Sequence, residues 1–425
     1  MNKKLAIRLA VGLFLMAGLI FAYVWFRGVG ADLVGKFAGA TNTAGWIAAI
    51  ERREDGGSQA VVFWPDGAKI DSADYKPDSE DQGVVWRPDG KFIFFSSNRV
   101  SPTFDIFRWD PDRNLVERRT FGSRGKSNLW FGPPGDPAAN DDALIMAGGF
   151  VMTLDPSSGA TRQVLPPPTG EVAGSGEEGG SGSQFDLIYS RLGKSFKEAK
   201  WGKNRESIIA VMIRESGEQV LLLQSMLPVK DKDGNERVAP PVAVAAGERI
   251  EFDVAESGDV VFTTMGFAFP DPQMIPPEYL KEGKAVKPYQ NALSFFNPAK
   301  PEQGVKNIVV SPNVEEVIIQ PRISPDSQRV LCIAGNLKDT GEIEPVMMLT
   351  CPLKENGASE SRPVVQGEAR EASWSPNGDK IVFIKRGPKG NRAIFTVSTD
   401  GTGEKEISGA KGDYAWPQFS PKKGS

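Results

Sequence analysis

The side chains that could perform chemistry in this sequence are mainly carboxylates. The chain has 54 acidic residues, two cysteines and no histidine. Without histidine, Ser-His-Asp and Cys-His nucleophiles and histidine metal sites are excluded, and no Gly-x-Ser-x-Gly motif occurs. Hydrolysis by two facing carboxylates and calcium binding remain. We predict no catalytic residue, no cofactor and no metal site, and keep a carboxylate hydrolase of glycan or lactone, with or without calcium, as the alternative.

The segment closest to a calcium loop is DKDGNE, residues 231–236. It lacks the full length of such a loop and the placement of its terminal glutamate. Its Asp-Gly pair is typical of a tight turn. We therefore predict a hairpin turn there, on a connection between a third and a fourth strand.

The charge of the chain argues against nucleic acid as a partner. The net charge is −4, from 50 basic and 54 acidic residues. No dense basic segment occurs beyond the first eight residues. Nucleic-acid binding requires a concentrated Lys/Arg surface that displaces counterions, so we predict no nucleic acid.

The amino terminus is predicted to hold a membrane anchor. Eighteen residues from Leu9 to Phe26 carry no charge, and residues 5–26 are long enough to span a bilayer. Lys3, Lys4 and Arg8 favour a cytoplasmic start. We interpret 1–27 as a cytoplasmic tip and uncleaved signal-anchor, with a cleaved signal peptide as the alternative, and 28–45 as a flexible tether.

Two distant segments follow one pattern. WRPDGKFIFFSSNR, residues 86–99, and WSPNGDKIVFIKR, residues 374–386, each join a Pro-containing turn to an apolar run. Seven bulky residues, named here the marks, precede such turns: Trp86, Trp130, Trp201, Phe252, Ile323, Trp374 and Phe419. Their spacings of 44 to 71 residues match four-stranded propeller blades of about 40–50 residues, some with insertions. We expect the marks to pack between neighbouring sheets.

The two ends of this region are predicted to complete one blade together. The segment from Trp46 has the second, third and fourth strands of a unit but no first strand, whereas the last unit stops after Trp416–Pro421. Pairing these ends removes the exposed sheet edges of an open stack. The predicted fold is therefore all-β, a seven-bladed propeller of four-stranded antiparallel blades over 46–425, closed by its terminal strands and preceded by one transmembrane helix.

The repeated units resemble those of the TolB β-propeller family. WRPDGKFIFFSSNRVSPTFDIFRWD, from Trp86, is similar to that family's pattern of a Pro-Asp-Gly turn, an apolar strand, Ser-Asn-Arg and Asp-Ile-Tyr/Phe, and the unit from Trp374 also follows it. The resemblance covers roughly residues 46–425 and implies a propeller. The membrane anchor stands where TolB carries an extra α/β domain.

Three insertions are predicted on one face of the propeller. Residues 166–193 join two blades, while 269–291 and 336–345 join second to third strands. Loops on a rigid scaffold often carry recognition, and the 269–291 loop is the best candidate for contacting a partner. Its predicted binding residues are Tyr279, Tyr289, Met274 and Lys281.

Cys332 and Cys351 are expected on the second and third strands of one blade. A disulfide between them requires restrictive geometry. We favour two buried thiols.

These features predict a membrane-tethered binding scaffold. The anchor places the amino terminus in the cytoplasm and the propeller in the periplasm or outside the cell, as a single-pass membrane protein. The expected partner is a protein or peptide of the cell envelope. The chain is predicted not to be an enzyme, and the carboxylate hydrolase stays open as the alternative.

Overall fold

The computed structural model describes residues 45–132, 141–167, 195–230, 234, 236–267, 280–281, 284–285, 290–311, 315–409 and 412–421. Contacts divide the chain after Thr43, and all of these residues belong to the second unit. Within these ranges no helix is both long and apolar enough to cross a membrane. The predicted anchor, 5–26, lies outside the described residues, so it stays a prediction.

Seven four-stranded antiparallel sheets confirm the predicted propeller. The strands of each blade are given from the innermost outwards, and are numbered in chain order. Blade 1 contains β32 (Asp413–Phe419), β1 (Ile47–Arg52), β2 (Ser58–Phe63) and β3 (Lys69–Asp71). Blade 2 contains β4 (Asp81–Trp86), β5 (Ile93–Ser97), β6 (Asp105–Asp110) and β7 (Leu115–Arg118). Blade 3 contains β8 (Lys126–Trp130), β9 (Ala143–Ala147), β10 (Phe150–Leu154) and β11 (Thr161–Leu165).

The remaining four blades follow the same order. Blade 4 contains β12 (Ser195–Trp201), β13 (Ser207–Ile213), β14 (Gln219–Ser225) and β17 (Val242–Gly247). Blade 5 contains β18 (Arg249–Val254), β19 (Val260–Phe267), β22 (Gln290–Phe296) and β23 (Lys306–Ser311). Blade 6 contains β24 (Glu316–Ile323), β25 (Arg329–Leu337), β26 (Ile343–Pro352) and β27 (Arg362–Gln366). Blade 7 contains β28 (Arg370–Trp374), β29 (Lys380–Arg386), β30 (Arg392–Ser398) and β31 (Lys405–Glu406).

Short elements decorate the connections between strands. β15 (Pro228–Lys230) pairs with β16 (Glu236–Val238), which confirms the hairpin predicted at 231–236. β20 (Leu280–Lys281) pairs with β21 (Lys284–Ala285). Single 3₁₀ turns span Lys203–Arg205, Pro301–Gln303 and Gly357–Glu360.

The terminal strands close the ring as predicted. β32 pairs with β1, with Phe419 opposite Ile47 and Asp413 opposite Arg52. Each innermost strand also contacts the innermost strands of both neighbouring blades, all the way round. Tyr414 of β32 is fully buried against Phe63 of β2, with ring centroids 5.3 Å apart. The two ends of the propeller therefore share one blade core.

A second type of contact, here called a clasp, joins consecutive blades. At every junction, a residue at the start of a third strand hydrogen-bonds a residue at the start of the next innermost strand. The clasps, in chain order, are Ser58–Asp81, Asp105–Lys126, Gly149–Phe196, Gln219–Ile250, Asn291–Glu316, Ile343–Arg370 and Arg392–Asp413. The clasps hold the same end of every blade, so they fix the rim from which the insertions emerge.

The marks pack between sheets, as expected. Trp86, Trp201, Phe252 and Ile323 belong to buried clusters, and Trp130, Trp374 and Phe419 pack against such clusters. The cluster around Trp201 spans blades 3 and 4, because it also contains Leu144 of β9 and Val220 of β14. Burying each such side chain contributes roughly 1.5–3 kcal/mol to the free energy of unfolding. The repeat is thus explained by the packing between adjacent blades.

Candidate functional site

The innermost strands carry a recurring β-bulge on the wall of the central channel. Register shifts occur in β4, β8, β12, β24 and β28, and in β32 opposite β1, whereas β18 pairs with β19 without a shift. Left-handed φ angles between 50° and 60° occur at Gly83, Asn128, Gln320, Glu371 and Trp416. Such backbone is costly for residues other than glycine, at roughly 1–3 kcal/mol each, and concentrates at functional sites.

Three of the bulged backbone N–H groups are satisfied by side chains of the preceding blade. Gln320 N donates to Glu251 Oε2 at 2.6 Å, and Glu371 N donates to Gln320 Oε1 at 2.6 Å. Trp416 N in turn donates to Glu371 Oε2 at 2.5 Å. A bulge leaves an N–H without a partner in the ladder, so each side chain fixes the bulge of the next blade.

These positions form what we call the channel ring. Its seven members are Gly83, Asn128, Lys197, Glu251, Gln320, Glu371 and Trp416, one from each innermost strand. Between blades 3 and 4 the ring side chain is the donor instead of the acceptor, because Asn128 Nδ2 donates to Lys197 O of the next blade at 2.8 Å. The ring holds polar and charged groups at fixed positions around the channel.

One sector of the channel ring is open to solvent. The Trp416 side chain is 44% exposed although its backbone has φ of 51°. In the next blade Gly83 has φ of 60°, and a Cβ added there would meet no atom within 4 Å. A bulky residue in left-handed backbone is an outlier that invites a functional explanation. Trp416 and Gly83 stand three residues before the marks of adjacent blades, the first with an exposed indole and the second with open space at its Cβ position.

The two carboxylates of the channel ring have opposite electrostatic environments. Burial raises the pKa of Glu371, although the Trp416 N–H and nearby arginines act against it. Burial also acts to raise the pKa of Glu251, but Arg249 and the Gln320 N–H outweigh it, so that this pKa lies below its ordinary value. Oε2 of each carboxylate accepts a backbone N–H of the next blade, so each carboxylate positions the innermost strand of that blade.

Cations surround these carboxylates, most of them at the clasp end of the innermost strands and one, Arg322, near the other end of β24. Burial lowers the pKa of Lys197, and the charges of Glu251 and Glu198 act against this. Arg249 pairs with Glu251, and Arg392 pairs with Asp413. The cations of this group, here called the mouth arc, are Lys197, Arg249, Arg322, Arg370, Arg392 and Arg52. The adjoining carboxylates are Glu198, Glu251, Glu371 and Asp413, so positive charge exceeds negative charge in this group.

Solved structures similar to this chain share its propeller. A puromycin hydrolase mutant complexed with PGG has a TM-score of 0.54 and 11% identity, covering 86% of this chain and 52% of its own. A puromycin-hydrolyzing peptidase from Mycobacterium tuberculosis has a TM-score of 0.51 and 9% identity, covering 85% and 51%. Such identities show the fold alone. This chain spans about half the length of each of these two proteins.

TolB from Acinetobacter baumannii is also similar, with a TM-score of 0.47, 12% identity, and coverage of 89% of this chain and 67% of its own. No family model and no curated protein matches the chain. The strand topology shows the propeller architecture, and membership of the TolB family stays a prediction from the sequence.

The predicted partner-binding residues lie in the segment 269–291, of which only residues 280–281, 284–285 and 290–291 are described. Met274, Tyr279 and Tyr289 lie outside the described residues. Lys281 lies in the two-residue strand β20, and its side chain is outside the described set. The segment does join the second strand of blade 5 to the third, as predicted, although β22 already begins at Gln290. These four residues stay predictions.

The other two insertions have mixed outcomes. β11 ends at Leu165 and β12 begins at Ser195, which confirms 166–193 as a connection between blades. The predicted loop at 336–345 is wrong in extent, since β25 continues to Leu337 and β26 begins at Ile343. Lys338 N donates to Glu342 O at 2.9 Å, so strand pairing continues into a tight hairpin.

The motif residues that resemble the TolB pattern are structural. Arg99 of Ser-Asn-Arg pairs with Asp81 at 2.5 Å, and both side chains are almost fully buried. Asp105 of Asp-Ile-Phe pairs with Lys126 of the next blade at 2.8 Å and also with Arg118. Breaking such buried pairs leaves an uncompensated charge. These residues join strands and blades.

The cysteines and the acidic turn contribute no described site. Cys332 and Cys351 lie on β25 and β26 as predicted, and both are buried free thiols. Cys332 faces Leu349 and Cys351 faces Val330, so the two cysteines are offset diagonally. Their mutual hydrogen bond and burial raise the pKa of the Cys332 thiol. Of the acidic turn, residues 231–233 and 235 lie outside the described set.

Sequence reasoning missed the channel ring. A signal was present, because Gly83, Gln320, Glu371 and Trp416 each stand three residues before a mark. These four residues differ in size, charge and polarity, so a search for similar residues does not detect them. Aligning the units on their marks would have placed them at one position of the blade.

Proposed function

We propose that this protein is a non-catalytic scaffold that binds a protein or peptide at the channel mouth, on the insertion-rich face of its TolB-like propeller. The observation that carries the proposal is the exposed Trp416, held in left-handed backbone by Glu371 beside the open Gly83 sector. Exposed aromatic side chains at fixed positions are typical anchors of protein interfaces. Holding one in strained backbone gains no stability for the fold, which favours a role in binding.

The surrounding structure supports rigid display. The clasps and the N–H bonds of the channel ring tie each innermost strand to its neighbours, so little order has to be gained when a ligand binds. Glu251 and Glu371 are both engaged as acceptors of backbone N–H groups. This engagement favours binding over hydrolysis by these carboxylates.

The proposal includes a place in the cell. A single span at 5–26, with the amino terminus in the cytoplasm, would hold the propeller in the periplasm or outside the cell. Tethering concentrates the propeller near the membrane, which favours partners of the cell envelope. Residues of the 269–291 insertion, Tyr279 and Tyr289 among them, are proposed to extend the same binding face.

Site-specific photocrosslinking in intact cells tests this function. A benzoylphenylalanine at position 416 is expected to form discrete adducts with one or a few proteins, because that side chain stands in the proposed binding sector. Adducts are separated by electrophoresis and identified by mass spectrometry of the linked peptides.

Val305 provides the matched control position. It is 47% exposed and lies between β22 and β23, at the end of blade 5 opposite the insertions. The same probe at position 305 is expected to give none of the adducts seen from position 416. Identical adducts from both positions, or none from position 416 in a folded protein, would contradict the proposal.

A further inference from the structure

Three arginines of the mouth arc make no ion pair within the described ranges; Arg370 is held in a clasp by Ile343 O, which leaves Arg52 and Arg322. Arg52, at the end of β1, is exposed, and its side chain makes no hydrogen bond or ion pair with any residue of the described ranges. Arg322 of β24 donates only to the adjacent carbonyl of Pro321, at 2.9 Å, within the same ranges. Arg249 and Arg392, by contrast, are committed to Glu251 and Asp413.

These two arginines lie next to the channel ring. Arg52 is opposite Asp413 in the register of blade 1 and acts electrostatically on Glu371. Arg322 follows the bulge at Gln320 and acts on Glu251. An arginine presents a planar fork of N–H donors that matches a carboxylate. Guanidinium groups that have no carboxylate partner in the fold and lie beside the rigid channel wall are suited to bind carboxylates of a ligand.

We infer that the mouth arc binds acidic side chains of the partner, so that the ligand at this mouth is a peptide segment rich in Asp or Glu. The inference rests on the proposed function and specifies the chemistry of its ligand. Lys197 of blade 4 adds positive charge to the mouth arc, and Trp416 of blade 1 offers an exposed apolar surface. A peptide supplies both carboxylates and apolar groups, which favours it over a purely charged ligand.

Fluorescence anisotropy with defined probes tests this inference. Full-length protein in detergent is titrated into rhodamine-labelled hexaglutamate, with hexaglutamine as the uncharged probe. Hexaglutamate is expected to bind more tightly, and added salt is expected to weaken it, because exposed charges are screened. Arg52→Gln and Arg322→Gln are each expected to weaken binding about tenfold, as for the loss of a charged hydrogen bond.

Two further variants control for charge and folding. Arg113 is 81% exposed in the turn between β6 and β7, at the opposite end of its blade, and Arg113→Gln is expected to bind like the parent. Arg52→Lys keeps the charge but loses the fork, so intermediate binding is expected. Unchanged thermal melting transitions confirm that each variant is folded.

Three results would overturn the inference: equal binding of hexaglutamine, parent-like binding by both glutamine variants, or the same loss in Arg113→Gln. Tighter binding of an oligouronate of equal charge would also overturn it, in favour of an acidic glycan. Crosslinks from position 416 without hexaglutamate binding would retain the scaffold function and remove only its acidic ligand. Hexaglutamate binding without crosslinks from position 416 would retain the affinity of the mouth arc for acidic peptides and remove the proposed scaffold function.

Discussion

Glu371 combines three properties at the scale of a single residue. Its backbone is left-handed, with φ of 53°. Its side chain accepts the Trp416 N–H, and burial raises its pKa. A carboxylate whose folded pKa is raised is protonated more readily in the folded state than in the unfolded one. Its contribution to stability is therefore lost as pH rises from the ordinary value of 4.5 through the folded pKa.

Glu371→Gln should remove this pH dependence. Glutamine keeps an oxygen that accepts the Trp416 N–H, but it carries no charge to desolvate. Relative to the parent, the variant should gain free energy of unfolding as pH rises from 4.5 to 8. Urea unfolding at several pH values measures this difference directly.

Glu368→Gln supplies the control for that experiment. Glu368 is in the same blade region, and its side chain is 46% exposed and pairs with Arg386. Its substitution should show no comparable gain towards pH 8. If the difference in free energy of unfolding between Glu371→Gln and the parent stayed constant from pH 4.5 to 8, ionisation of Glu371 would not destabilise the fold, and the prediction would be wrong.

The clasps show how one position of the blade tolerates different chemistry. At the junction of blades 2 and 3 the third strand supplies the anion, Asp105, and the next blade supplies the cation, Lys126. At the junction of blades 7 and 1 the polarity is reversed, with Arg392 on the third strand and Asp413 on the next blade. The positions of the strand ends therefore set the geometry of a clasp, and the anion can be on the third strand or on the next innermost strand.

Exchanging Arg392 and Asp413 in a double variant should consequently restore most of the free energy of unfolding that each single substitution removes. Arg392→Asp and Asp413→Arg should each lower the free energy of unfolding by about 1 kcal/mol, since both side chains are about one-third exposed and screened. The double variant should recover at least half, with the shortfall due to the Arg392 backbone N–H that now donates to Asp413 at 3.0 Å. A double-mutant cycle of urea unfolding gives the coupling.

An exposed pair away from any clasp calibrates that cycle. Lys354 and Glu360 pair with side chains that are 53% and 58% exposed. Exchanging them should change stability by less than about 0.5 kcal/mol in any combination. If the Arg392–Asp413 cycle showed equally small coupling, or if its double variant were as unstable as the worse single change, clasp polarity would not be interchangeable.

At the scale of the whole molecule, the sequence predicted the architecture better than the site. The marks and turns recur because every blade packs against the next in the same way, so Trp86 and Trp374 reveal the repeat directly. The residues of the channel ring range from glycine to tryptophan, and only Glu251, Gln320 and Glu371 share one task, accepting a backbone N–H of the next blade, so the ring does not stand out as a repeat. Arg52 and Glu371 are 319 residues apart in the chain, and only ring closure brings them together.

Removal of residues 413–425 should therefore destabilise the entire propeller. β1 would lose its inner partner, and Phe63 would lose the buried ring of Tyr414, whose hydroxyl donates to Glu51 at 2.9 Å. Losing one buried aromatic side chain costs about 3–5 kcal/mol, a large fraction of the stability of a typical domain. The truncated chain should unfold at a much lower urea concentration than the parent.

A matched truncation and a peptide added in trans separate strand closure from chain length. Ending the chain at 421 leaves β32 intact and should preserve the urea midpoint. Adding a synthetic peptide of residues 410–425 to the shorter chain should raise its midpoint in a concentration-dependent way, because the peptide can pair with β1. A chain ending at 412 that unfolds like the parent would mean that the other six blades carry the stability without closure. The channel mouth would then have to be held by the clasps alone, and Arg52 would lose its fixed position opposite Asp413.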